Sequence, residues 1–168
     1  APEPVYEAVR SGLVTNRYYT ICLDKAVSAV RGASFWKIEN RDNAGKEVYL
    51  EEVDPTEFAA GTPFIIQATA AALEVVYTGS ATSTAGTNGA LRGTLEDLNE
   101  TAFAALTGNI YLLINNAIRP RTTGNYLNAN RAYIDYDELT AVSSAPQGAP
   151  GRRVRSMPMQ GQVATGMD

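Results

Sequence analysis

A chain of 168 residues with 14 Lys+Arg against 18 Asp+Glu carries a net charge of −4 and is long enough for one domain with its own core. It has no histidine and one cysteine, which excludes Ser-His and Cys-His catalytic pairs, histidine zinc ligands, an internal disulfide, a thiolate zinc cluster and a CxxC redox pair. The acidic balance argues against nucleic acid as a partner, and no apolar run reaches the roughly 20 residues of a membrane-spanning helix.

Ala1-Pro2-Glu3-Pro4 has neither a basic start nor an apolar stretch, so no signal peptide is expected within the chain. The first strand is predicted over 17–23, a second over 33–39 and a third over 47–53. Polar residues 40–46 join the last two as a hairpin loop. Ala60-Gly61-Thr62-Pro63 is a turn, and it feeds Phe64-Ile65-Ile66-Gln67-Ala68, a nearly continuous apolar run that reads as a central strand buried on both faces. A strand over 73–77 follows. Residues 78–90 contain only small and polar side chains and read as an exposed loop. Then come a short strand over 91–95, one or two helical turns over 99–106 with Asn99 as N-cap and Gly108 as C-terminal cap, and a strand over 109–114. Asn115-Asn116 turns the chain into 117–120, a polar loop leads to Tyr126-Leu127, and the last strong strand is 131–136.

Short strands with Gly, Pro and Asn turns and no long amphipathic helix predict an all-β fold. It is a β-sandwich or jelly-roll-like arrangement, mostly antiparallel, with at most one short helix. Residues 1–142 are assigned to the sandwich. Residues 143–168 are assigned to a linker and C-terminal segment, with 152–157 as an added strand and 161–168 as a frayed end. Residues 1–144 hold 11 basic and 17 acidic groups, and 145–168 hold 3 and 1, so the tail can pair with the acidic body. Arg outnumbers Lys by 11 to 3, a bias that composition alone does not explain.

Few residues suggest chemistry. Asp135 and Asp137, at i and i+2 on a strand, would share one face about 7 Å apart, a spacing usable for glycoside hydrolysis. No third group is placed beside them, so solvated surface acids are the favoured reading, as for Glu51-Glu52. The loop 39–47 offers oxygen ligands for calcium, but Arg41 and Lys46 compete and the EF-hand spacing is missing, so no metal site is assigned. Cys22 lies among Ile21 and Leu23 and is expected to be a buried, inert thiol. No GxSxG elbow, SxxK motif or phosphate loop is present, and no cofactor is implied. Trp36 together with Tyr18, Tyr49, Tyr77, Tyr111, Tyr126, Tyr133 and Tyr136 is a candidate stacking platform for sugar rings, although ordinary cross-strand aromatic packing is the favoured reading of such residues. With the Asn-rich stretch 125–130, the candidate ligand-binding residues are Trp36, Tyr126, Asn128 and Asn130.

Tyr19-Thr20-Ile21-Cys22-Leu23 resembles a GTICLP-like strand, with Tyr19 in place of Gly and Asp24 in place of Pro. Ala60-Gly61-Thr62-Pro63-Phe64-Ile65-Ile66 resembles AGTPYIF, Leu91-Arg92-Gly93-Thr94 resembles L-x-G-T, and Asn130-Arg131-Ala132-Tyr133-Ile134 resembles NRAYI. Arg152 to Met157, followed by Ala164-Thr165-Gly166-Met167, resembles a closing RRRIRM…ATGIE stretch. In this order the segments are similar to a C-terminal all-β module of secreted and surface proteins of Bacteroides-type gut bacteria. The resemblance implies an exported, extracellular or cell-surface setting, no catalytic residues, and structural roles for Cys22, Gly61, Pro63 and Arg131. Arg131 is expected to grip a carboxylate or backbone carbonyls. Two functions from different classes follow: a non-catalytic structural or adhesive module, and a carbohydrate-binding module. A glycan or another surface protein is the partner expected.

Overall fold

The apolar run 64–66 has no polar side chain to turn toward water, and in the computed structural model, which describes residues 3–160, it lies in the middle one of three layers. The elements in chain order are β1 (Glu7–Arg10), β2 (Tyr18–Cys22), β3 (Val27–Arg31), β4 (Ala33–Asp42), β5 (Glu47–Val53), β6 (Pro63–Ala68), β7 (Leu73–Tyr77), β8 (Thr87–Asn88), β9 (Leu91–Thr94), α1 (Glu100–Ala104), β10 (Ile110–Ile114), β11 (Ala117–Pro120), β12 (Arg131–Asp135), β13 (Thr140–Val142) and β14 (Val154–Pro158), with a 3-10 turn at Tyr136–Glu138. The fold is all-β and mostly antiparallel, consistent with a sandwich.

The central layer is a six-stranded sheet in the order β14-β5-β4-β6-β2 with β13 added in parallel to β4. Period-2 alternation sends its side chains to two different cores. Trp36, Ile38, Val48, Leu50 and Ile65 pack against Leu91, Tyr111, Ile118, Ala132 and Ile134 of the five-stranded sheet β11-β10-β12-β9-β8. Phe35, Phe64, Ile66 and Ile21, on the other face, pack against Val27, Leu73 and Val75 of a small three-stranded sheet, β1-β7-β3. Every residue of β6 is therefore buried. Fully burying each Ile, Leu or Phe of such a core contributes about 1.5–3 kcal/mol, which is why a chain without a disulfide can hold three layers together.

The sheet edges are closed by specific contacts. Edge strand β2 meets the start of β12: Cys22 N–H donates to Asn130 O (3.1 Å), Asn130 Nδ2 donates to Cys22 O (2.9 Å) and Ala132 N–H donates to Thr20 Oγ1 (3.0 Å). At the opposite edge β14 pairs with β5, and Met157 and Met159 enter the main core, so the C-terminal segment as far as Gln160 is part of the body. Arg152 and Arg153 pair with Asp54 and Glu52, as the charge asymmetry between tail and body predicted.

Four expectations change. The loop 78–90 is tied down: Thr82 N–H donates to Asp24 O, Gly86 N–H donates to Gly61 O, and β8 pairs with β9. The helix begins at the expected cap, with Asn99 Oδ1 accepting from Ala102 N–H (2.8 Å), but it ends at Ala105, before Gly108. Strand β12 stops at Asp135, whose carboxylate accepts from Asp137 N–H and starts the 3-10 turn. Three further strands, β1, β3 and β13, come from stretches with weak alternation. The segment 161–168 lies outside the described residues.

Candidate ligand-binding cleft

The groups that suggested chemistry are occupied. Asp135 caps the 3-10 turn and faces Arg92 (3.9 Å), while Asp137 accepts from Asn109 Nδ2 (2.9 Å), so the two acids do not share a strand face. Glu52 receives both forks of Arg153, Nε to Oε1 and Nη2 to Oε2, each at 3.1 Å. That grip, above all its side-chain hydrogen bonds, holds the Glu52 carboxyl below its ordinary value. Asp42 Oδ1 accepts from the backbone N–H of Lys46 and Glu47, closing the 40–46 hairpin rather than facing an ion. Among the described residues no cluster of three potential metal ligands occurs. Cys22 is fully buried; its thiol donates to Gly61 O (3.4 Å), and burial, with Asp24 adding to it, pushes its pKa up to about 11.

What remains is a cleft of about 340 Å³ where edge strand β2 meets β10 and β12. Tyr18, Tyr19 and Thr20 of β2 line one wall, and Leu112, Leu113 and Ala132 line the other. The loop residues Asn115, Tyr126, Leu127 and Asn128 form the rim, and Arg10, Arg17 and Arg131 line the same space. Cavities of roughly 300–1,000 Å³ with a few converging polar groups are the usual form of small-ligand sites. Arg10 comes from β1; its Nη1 donates to Thr20 O (3.0 Å) and its guanidinium lies over the Tyr19 ring, 5.4 Å from the centroid. Burial and then the neighbouring charge of Arg131 lower the Arg10 pKa to about 10. Burial likewise lowers that of Arg131, against the weaker pull of Asp97. Among the described residues none of these three arginines forms an ion pair.

The sequence-predicted residues divide accordingly. Tyr126 and Asn128 lie together at the rim, and Tyr126 is 60% exposed. Trp36 is a correction: it is fully buried, its Nε1 donates to Ser34 Oγ, and Arg153 and Arg155 cover its ring, so it offers no open face to a sugar. The apolar run around it sends it into the main core rather than outward. Asn130 is a second correction, because its Nδ2 and both backbone polar groups bond to Cys22 and Thr94, at a left-handed φ of 63°, and it does not line the cleft. The other tyrosines mostly pack: Tyr111 stacks on Tyr136 (5.0 Å between centroids), Tyr133 meets Phe103 edge-on and Tyr18 meets Trp36 edge-on.

Gly61 is structural. It has a φ of +80°, its N–H donates to Leu23 O, and a side chain there would collide with Thr84 O. Pro63 opens β6 opposite Cys22, and its carbonyl accepts from Asn88 Nδ2 (3.0 Å). Among the described residues Arg131 forms no ion pair with a carboxylate; of the expected carboxylate or backbone-carbonyl partners it takes one carbonyl, Nη1 donating to Ala129 O (3.1 Å), and it also lines the cleft. Sequence reasoning missed Arg10, Arg17, Tyr19 and Asn115, which reach the cleft from separate elements. For the two arginines the one signal in the sequence was the excess of Arg over Lys.

Comparison of the chain with family models, with curated proteins and with solved structures gave no significant match.

Proposed function

We propose that this chain is a non-catalytic structural or adhesive module of an exported cell-surface protein. The resemblance of its strand and turn segments to surface-protein modules supports the setting. The engagement of Asp135, Asp137, Glu52 and Cys22 in structural bonds supports the absence of a reaction. The observation that carries the reading is the cleft: exposed Tyr126 and Asn128 line it together with three arginines that form no ion pair among the described residues.

Carbohydrate binding is the second reading, favoured by the Tyr126 ring at the rim beside two amide side chains, Asn115 and Asn128. A ring face with adjacent amides matches the apolar face and the hydroxyls of a sugar. The test is to incubate the protein with chromogenic glycosides and to pass it over immobilised polysaccharides and mucin. Retention that Tyr126→Ala reduces, without turnover, is expected. Turnover that Asp135→Asn abolishes would contradict the proposal.

A further inference from the structure

We infer that the cleft takes the acidic residue of a saccharide, with the anion held by Arg10, Arg17 and Arg131 and the adjoining neutral residue held beyond Tyr126. This rests on the binding-module reading and names the ligand class for it.

The first support is electrostatic. Arg10 and Arg131 line the same cleft and are both partly buried; the charge of Arg131 adds to the cost of burying Arg10, and at Arg131 the pull of Asp97 is weaker than the cost of burial. Two cations brought together away from water are costly unless an anion joins them. Acids are not scarce in this chain, with 18 against 14 bases, yet none lines this cleft. A carboxylate or sulfate between the guanidiniums would supply the missing charge, and the planar Arg fork suits both anions.

The second support is the shape of the rim. Tyr126 and Asn128 also line a second hollow, of about 290 Å³, bounded on its far side by Asp97, Leu98, Asn99 and Glu100. The two hollows thus share a ridge, with a basic floor on one side and acidic groups on the other. A ligand crossing the ridge meets cations, then an aromatic ring, then carboxylates. Carboxylates accept hydrogen bonds from sugar hydroxyls and repel a second acid. The sequence of groups fits an acidic sugar followed by a neutral one, and disfavours a uniformly charged polyanion.

The test is calorimetric titration with four trisaccharides of the same backbone. One is neutral, one has a single terminal glucuronic acid, one has a single sulfate at that terminus, and one is uronate throughout. The singly charged ligands are expected to bind at least tenfold more tightly than the neutral one, and the comparison of glucuronate with sulfate identifies the preferred anion. Arg10→Gln and Arg17→Gln are each expected to weaken that binding about tenfold. Arg17 makes no side-chain bond within the described residues, so its variant keeps the fold, and an unchanged melting curve verifies this. Equal, Tyr126-dependent binding of the neutral ligand would overturn the inference while leaving the module reading in place. Tighter binding of the all-uronate ligand, or no binding of any charged ligand, would overturn it as well.

Discussion

Arg10 of β1 and Arg131 of β12 line one cleft from different sheets, and the charge of Arg131 adds to the cost of burying Arg10. Neither has a carboxylate within ion-pair distance among the described residues. A pair arranged in this way detracts from stability until an anion arrives, and binding sites commonly carry such a cost. A saccharide with one acidic residue is therefore expected to raise the melting temperature of the native protein. Thermal unfolding in parallel with Arg10→Gln measures this: the shift should shrink in the variant, and an equal shift in both would place the ligand elsewhere.

A second prediction concerns Gly93, against which the Cys22 sulfur lies so closely that an added Cβ has no room. Gly93→Ala is expected to destabilise the fold by about 1–3 kcal/mol through overpacking. Cys22→Ala should recover part of that loss, because it removes the colliding sulfur. A double-mutant cycle in urea gives the coupling, and strictly additive effects would show that the two sites do not meet.

Burial raises the Cys22 thiol to about 11, so its reactive thiolate is scarce at neutral pH. Native protein at pH 8 should resist a thiol reagent and react stoichiometrically once unfolded. The sign of the linkage follows. The folded state prefers the protonated thiol, so this contribution to stability is complete below the unfolded thiol value and is lost as pH rises through the folded one. Rapid labelling of the native state would contradict the burial.

Glu52 is shifted the other way. Because Arg153 lowers its folded value, the contribution is present above the ordinary carboxylate value and disappears as pH falls through the lowered one. With Arg153 about half exposed, the pair is worth at most about 1 kcal/mol. Glu52→Gln should lose that amount near neutrality and approach the native stability in acid, as chemical denaturation across pH would record. A constant difference at all pH values would mean that the loss is one of packing and not of charge.

Asn130 distinguishes a structural amide from a ligand-binding one. Asn130→Ala removes the bond to Cys22 O and puts alanine at φ 63°, so a loss of about 1–3 kcal/mol is expected, with saccharide affinity unchanged once folding is restored by temperature. Reduced affinity at full stability would return Asn130 to the binding site.

Strand identity was legible where the apolar pattern was strong. The runs at 64–68 and 110–114 announced their burial, and Asn99 announced its helix cap. β1, β3 and β13 were not legible, because tertiary pairing rather than local alternation makes them strands. Trp36 and Tyr126 show the limit for the site. Both are aromatic, but periodicity does not say which face of a sheet a later layer will cover, and here the covered face took Trp36. The arginine excess becomes intelligible only in three dimensions. Arg121 ties down two carbonyls at the end of α1, Arg153 grips Glu52 above Trp36, and Arg10 lies on Tyr19. The grip on Glu52 uses two nitrogens of the planar fork, which lysine lacks.

The most direct test of the central claim is where a ligand binds. A ¹⁵N-labelled sample titrated with the singly acidic trisaccharide and followed by amide NMR should show shifts concentrated at Tyr19, Asn115, Tyr126, Asn128 and Arg131. Shifts confined to the three-stranded sheet or to the β13 edge, with the cleft residues unmoved, would contradict the account.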